Sequence, residues 1–267
     1  MFSAIIALLA PLYLIVLALT FLPRTVIKIL RNRQFSALLD WPTFQSIWFA
    51  NFWSQIGPTI AEQGTPDVTP FISLARGVVL DIGPGSGEWL HLYNAANVTK
   101  VYGVEPNIGH HATLREKVKK AGLEGTYEVI GAGAEDLKTL GLGIGKESVD
   151  TIVTLQVLCS VPEPATLIRE LYDYLKPGGQ WIMCEHVRTH QKGFVARYQA
   201  NPCLNGLKEA LNIVWPRFFN GCSLLRNTDE MLKEVGEWDD VRMGLRMDSS
   251  KYSAVPGMVG VLTKRSS

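Results

Sequence analysis

The sequence predicts an α/β fold, a mostly parallel sheet covered by helices, preceded by an apolar membrane helix. Three observations predict it. Short β-branched runs alternate with helical segments from Gly77 onward, the first run ends in a glycine-rich loop, and no charged side chain occurs between Met1 and Pro23. With 267 residues, 47% of them hydrophobic, the chain can fill one sizeable core with appendages. Its 26 Lys and Arg against 25 Asp and Glu leave no positive surplus for a phosphate backbone, which excludes nucleic acid as a partner.

The apolar run Ser3 to Leu22 has about the length of a membrane-spanning helix. Arg24, Lys28, Arg31 and Arg33 follow it directly, a bias that keeps the C-terminal side in the cytosol. A cleaved leader would carry a basic start and a small-residue cleavage site, and neither is evident. Pro11 offers an alternative, a kinked hairpin dipping into one leaflet. Residues 1–23 are therefore an anchor and 24–74 a basic, aromatic-rich helical cap. In that cap Phe44, Trp48 and Phe52 share one helix face suited to the core, with the opposite face free for lipid or a substrate entrance.

Residues 75–267 form the main domain, with strands expected at Gly77 to Ile82, Lys100 to Val104, Tyr127 to Gly131, Val149 to Leu155, Gln180 to Glu185 and near Val259 to Thr263. The first strand runs into VVLDIGPGSG: Asp81, then Gly83, Gly85 and Gly87, then a helix through Glu88 to Tyr93. Strand, glycine loop and helix start together offer free N–H groups to a nucleotide-like ligand. The dinucleotide pattern G-x-G-x-x-G would need its third glycine at position 88, which is Glu88, so a pyrophosphate would meet a negative charge. A nicotinamide cofactor is thereby disfavoured.

The second strand ends in Glu105, placed to accept hydrogen bonds from ribose hydroxyls. The segment GAGAEDL brings Ala134, Glu135 and Asp136 to an adenine edge, unless an acid caps the next helix. The fourth strand leads to Gln156, Cys159 and Ser160 on the ligand side of the sheet. A helix from Glu163 to Leu175 stops at Lys176-Pro-Gly-Gly, and the fifth strand delivers Glu185 and His186 to the same rim.

Other polar residues have plainer readings. His110 and His111 fit a solvated helix start, and Arg226 could pair with an acid or a substrate. Cys159, Cys184, Cys203 and Cys222 are spaced 25, 19 and 19 positions apart, without C-x-x-C or zinc-finger histidine spacing. They read as reduced thiols, no metal site is expected, and Cys159 and Cys222 fit packing or pocket-lining roles. Phe194, Tyr198, Trp215, Phe218 and Phe219 within residues 190–225 suit either a lid over an apolar acceptor pocket or a further core helix.

In order, the Asp81 glycine loop, Glu105, Glu135-Asp136, Gln156 and LKPGG resemble the class I S-adenosylmethionine methyltransferases over about residues 75 to 190. LQVLCSV at 155–161, EHV at 185–187 and NGCSLLRNT at 220–228 resemble more narrowly the methyltransferase-like 7 family, membrane-anchored thiol S-methyltransferases. The chain departs from that family at Pro84, where Cys is usual, and at Glu105, where Asp is usual. The resemblance implies S-adenosylmethionine as cofactor, with Asp81, Gly83, Gly85 and Gly87 around its methionine part, Glu105 at the ribose, Ala134 and Glu135 near adenine, and Gln156 close to the sulfonium.

Methyl transfer is an in-line displacement that needs alignment rather than a covalent nucleophile. A thiol acceptor, with a pKa of about 8.5, needs only a weak base, and His186 is the candidate. The expected partners are a small lipophilic substrate, a thiol favoured, and a membrane of the endoplasmic reticulum or a lipid droplet, with the catalytic domain facing the cytosol. O- or N-methylation of a lipid or secondary metabolite is the runner-up reading, a non-catalytic membrane scaffold the rival of another class. The oligomeric state is left open by the sequence.

Overall fold

The computed structural model describes residues 2–188, 202–249 and 253–266, the backbone alone at 2–8 and 202–205. Strands β1 (Gly77–Ile82), β2 (Val98–Val104), β3 (Tyr127–Ile130), β4 (Val149–Leu155), β5 (Leu175–His186), β6 (Trp238–Leu245) and β7 (Gly257–Lys264) make one sheet in the order β3-β2-β1-β4-β5-β7-β6. β7 alone runs antiparallel to its neighbours β5 and β6. The order reverses between β1 and β4, the crevice where open α/β sheets bind ligands beyond their C-terminal strand ends.

Alternation along the strands explains the layering. Val79, Val101, Val153 and Ile182 enter one apolar cluster, whereas Leu80, Val104, Ile152 and Met183 enter another, as a period of two requires of a sheet covered on both faces. The Pro164–Tyr174 helix packs Leu167, Ile168 and Leu171 into the second cluster.

Three expectations change. β5 begins at Leu175, because Lys176-Pro-Gly-Gly is a bulge: Val149 pairs with Leu175 and Thr151 already with Gln180. β6 had no strand signal in the sequence; it is an edge strand whose Asp239, Asp240, Val241 and Arg242 are all exposed, so it lacks apolar alternation. The expected 88–93 helix shrinks to a single 3-10 turn, Leu90–Leu92. Asn94 stops it by accepting the Ala96 N–H at 3.1 Å in an Asx turn.

At the N-terminus, α1 (Phe2–Thr20) continues through Pro11, and the break falls at Phe21, where Pro23 sits in the first turn of α2 (Leu22–Arg31). Leu9–Arg31 is long and apolar enough, by length and composition, to cross a membrane. One side of α1 is nevertheless docked on the rest of the chain. Ala18 is fully buried, and its carbonyl accepts the Trp48 indole N–H at 2.8 Å. Trp48 lies on α3 (Trp41–Ile72), capped by the Asp40 side chain, which accepts the Thr43 N–H at 3.0 Å. α3 buries Trp48 and Phe52 in a third cluster with Leu211 and Trp215 of the Pro202–Phe218 helix and with Phe219 just beyond it.

Candidate active site

Beyond β1 the chain turns sharply at Gly83, at a φ of 63°, and its N–H donates to the Val104 carbonyl at 2.9 Å. A Cβ at Gly83 would lie 2.3 Å from a Val157 methyl, so only glycine fits. Gly85 also has positive φ, and Gly87 is packed against Leu90 and Leu114.

Glu105, just past β2, folds back over this loop. Its carboxylate accepts the Gly85 N–H at 2.9 Å and the Asn107 N–H at 2.8 Å. Burial pushes its carboxyl up to about 7 despite these bonds. Asp81 accepts the Tyr127 hydroxyl at 2.9 Å, and burial raises it to about 6. Glu88 is buried, accepts the Trp53 indole N–H at 3.3 Å and pairs with Lys117 at 3.1 Å.

His110 and His111 are buried, contrary to the solvated helix start their sequence suggests. His110 Nδ1 lies 3.1 Å from the Ser86 hydroxyl, and burial lowers it to about 4. His111 Nε2 donates to the Glu105 carbonyl at 2.7 Å. Both imidazoles brace the loop and the Glu105 turn from behind. The helix Ile108–Lys120 turns this face inward, a placement that local polarity could not signal.

A cavity of about 530 Å³ lies at the crevice. Gly83, Gly85, Glu88, Glu105, Ala134, Glu135 and Gln156 line one end. Among the expected cofactor residues, Asp81 and Gly87 do not line it: they sit behind the loop and shape it through Tyr127, Leu90 and Leu114. Glu135 and Asp136 do not cap by side chain; Ala134–Thr139 is a 3-10 turn entered from Gly133. The other end is lined by Phe52, Cys159, His186, Trp215, Phe219 and Cys222, and Pro11, Tyr13 and Leu14 of α1 close one wall. Trp215 and Phe219 of the expected lid region thus reach the cavity, while Phe194 and Tyr198 lie outside the described residues.

At this apolar end, side chains far apart in sequence meet. The ligating atoms of Cys159, His186 and Cys222 all lie within 4.8 Å of one another, with Cys222 Sγ 3.9 Å from His186 Nδ1. The Trp215 indole N–H donates to Cys222 Sγ at 3.4 Å. The neighbouring Cys159 thiol and this indole bond pull the Cys222 thiol below its ordinary value, whereas the Cys222 sulfur, together with burial, pushes the Cys159 thiol up. Arg226, expected to pair with an acid or a substrate, instead donates to the Leu158 carbonyl at 2.6 Å. Cys159, Cys184 and Cys222 carry free thiols. Linear spacing does not disclose this cluster; the signal available was topological, since Cys159 follows β4 and His186 ends β5 on the ligand rim.

A glycine cradle that no side chain can enter, with Glu88 and Glu105 beside it, fits a ligand carrying a cationic amino group, a sulfonium and a ribose diol. The strand order and this site define a class I, S-adenosylmethionine-dependent methyltransferase. The chain belongs to the methyltransferase domain family, whose model matches residues 58–229, over half of the sequence. It is 27% identical over 187 residues to the thiol S-methyltransferase TMT1B of Rattus norvegicus, covering 70% of each chain. It is 31% identical over 115 residues to the phosphatidylethanolamine N-methyltransferase of Cereibacter sphaeroides, covering 43% of this chain and 53% of that one. Among solved structures, a putative methyltransferase from Bacillus halodurans C-125 superposes with a TM-score of 0.54 at 16% identity, covering 75% of this chain and 100% of that one. At that identity the likeness speaks for the fold alone.

Proposed function

We propose that this methyltransferase methylates the sulfur of a small lipophilic thiol at a membrane surface. One observation carries the reading: the glycine loop and Glu105 share a single cavity with His186 and an apolar wall of Phe52, Trp215 and Phe219. The thiol S-methyltransferase relative, matched over 70% of both chains, supports the choice of sulfur.

S-adenosylmethionine supplies an electrophilic methyl group on a sulfonium. In this reading Gly83 and Gly85 give the methionine part close backbone approach, Glu105 accepts the ribose hydroxyls, and Ala134 with Glu135 borders the adenine. Gln156 sits near the sulfonium, held by its own N–H donating to the Cys184 carbonyl at 2.7 Å. Asp81 and Gly87 act from behind, holding the loop. The aromatic wall excludes water and takes the acceptor's alkyl part. His186, half-buried at the end of β5, receives the thiol proton.

The outer side of the N-terminal helices supports membrane attachment. Leu12, Tyr13, Val16, Leu19, Ile27 and Leu30 are exposed, and Leu39 and Trp41 continue the apolar surface. Because α1 is docked through Ala18 and Trp48, we read it as lying in the interface with its free face in lipid rather than crossing alone. An acceptor dissolved in the bilayer then enters past Tyr13 and Leu14. The cytosolic face of the endoplasmic reticulum or of a lipid droplet suits this arrangement.

Detergent-solubilised full-length protein given methyl-labelled cofactor and, separately, an alkyl thiol, the matched alcohol and the matched amine tests the proposal. Label in the thioether supports it; label only in an ether or amine replaces the acceptor while leaving the class of enzyme intact.

A further inference from the structure

We infer that Cys159, His186 and Cys222 form a binding site for a zinc-class divalent cation, whose remaining coordination position opens into the acceptor end of the cavity. A site with three protein ligands and one open position is the pattern of catalytic rather than structural zinc, and two cysteines with one histidine are a suitable donor set.

The geometry is close to what the ion requires. Zn–S and Zn–N bonds of about 2.3 and 2.0 Å put tetrahedral ligand atoms about 3.5–3.8 Å apart. Here Cys222 Sγ and His186 Nδ1 are 3.9 Å apart, and all three ligating atoms fall within 4.8 Å of one another. Small side-chain rotations close the difference.

The backbone around the cluster is stitched together independently of any side-chain contact between the three. The Ser223 N–H donates to the Cys159 carbonyl at 2.9 Å, binding the Cys222 loop to the loop after β4. The Arg188 N–H donates to the Arg226 carbonyl at 2.7 Å, binding the same loop to the end of β5. Three separate segments are thus fixed against one another where the donor atoms converge, and the Trp215 N–H on Cys222 Sγ supplies a hydrogen bond of the kind that orients a metal thiolate. Charge also balances. The cation displaces the thiol protons to water on binding, and two thiolates, a neutral imidazole and a divalent cation then sum to zero, which suits an end walled by Phe52, Trp215 and Phe219.

The consequence for catalysis rests on the thiol reading above. The acceptor's S–H bond breaks with its proton passing to water, and its sulfur takes the open position as a thiolate. That sulfur then forms a bond to the methyl carbon as the carbon–sulfonium bond breaks, leaving a thioether and S-adenosylhomocysteine. The neutral thioether is a poorer ligand and departs. With the cation bound, His186 serves as its ligand in place of the proton-accepting role given above, and the cation lowers the acceptor's pKa.

The test is a cobalt(II) titration of chelator-stripped full-length protein in detergent, with a phosphine reductant, followed by absorption. One equivalent should bind with the near-ultraviolet sulfur-to-metal band of two thiolates. Cys222→Ser and Cys159→Ser should each weaken the band by about half or abolish it, and His186→Ala should weaken affinity at least tenfold. Binding of S-adenosylhomocysteine by the variants verifies that they are folded. Adding an alkyl thiol, but not its alcohol, should strengthen the band. Absence of the band in wild type, or its full retention in Cys222→Ser, overturns the inference. Thiol methylation at an unchanged rate in metal-stripped protein overturns the cation's part in activating the acceptor while sparing the thiol reading. Cobalt binding with methylation of only an alcohol or amine does the reverse, upholding the site and removing the thiol reading.

Discussion

The Glu105 carboxylate reaches back across the glycine loop to accept the Gly85 N–H at 2.9 Å, so the expected ribose acceptor and the expected methionine cradle are one hydrogen-bonded unit. Replacing Glu105 with Ala should lower S-adenosylmethionine affinity about 10- to 100-fold, the size of the 1.5–3 kcal/mol typical of hydrogen bonds to charged groups. Calorimetric titration of wild type and variant checks this, and an unchanged affinity would remove Glu105 from the cofactor site.

Burial raises Glu105 to about 7, and ribose hydroxyls favour the ionised acceptor. Cofactor binding should therefore release a proton near pH 7, and affinity should rise as pH increases through that value. Titrations in buffers of different ionisation enthalpy measure the release, which Glu105→Gln should abolish.

Burial lowers His110 from 6.5 to about 4, so between these values the unfolded chain binds a proton that the native chain does not. Its contribution to stability is lost as pH falls from 6.5 towards 4. Glu105, raised from 4.5 to about 7, acts oppositely: the native chain holds the extra proton, and that contribution is lost as pH rises through the window. Urea unfolding across this range should show a shallower acid limb in His110→Gln than in wild type.

Gly83→Ala places a methyl 2.3 Å from Val157 at a φ of 63°. The variant should lose about 1–3 kcal/mol of stability, the usual cost of such backbone strain, and most of its cofactor binding. Adding Val157→Ala removes the methyl at 2.3 Å but leaves the Val157 Cβ at 2.9 Å, so it should recover part of the steric cost and none of the conformational one, which thermal unfolding of the double-mutant cycle resolves.

The Trp48 indole N–H on the Ala18 carbonyl docks α1 onto α3. Trp48→Phe removes the indole donor while the Ala18 carbonyl keeps the Phe21 N–H at 3.1 Å, so the cost should be about 1 kcal/mol. Limited proteolysis should then cut faster between α1 and α3, and KM for a lipophilic acceptor should rise while cofactor affinity holds.

Much of this architecture was legible in the sequence, because β1, β4 and the second half of β5 are buried runs whose apolar character is set by the sheet itself. Asp81 to Gly87 was legible because positive φ at a strand end requires glycine. β6 was not, since an exposed edge strand with Asp239, Asp240 and Arg242 has no reason to alternate. The burial of His110 and His111 depends on which way their helix faces, and the meeting of Cys159, His186 and Cys222 depends on three loops brought together only by the folded sheet.

Competition between acceptors tests methyl transfer to sulfur in this cavity. Methyl-labelled S-adenosylmethionine and the solubilised full-length protein meet an alkyl thiol, its alcohol and its amine together, and products are read by mass spectrometry. Label should appear almost wholly in the thioether, and substitution of Trp215 by Ala should reduce that yield. Label chiefly in the ether or the amine, with the thiol untouched, would contradict it.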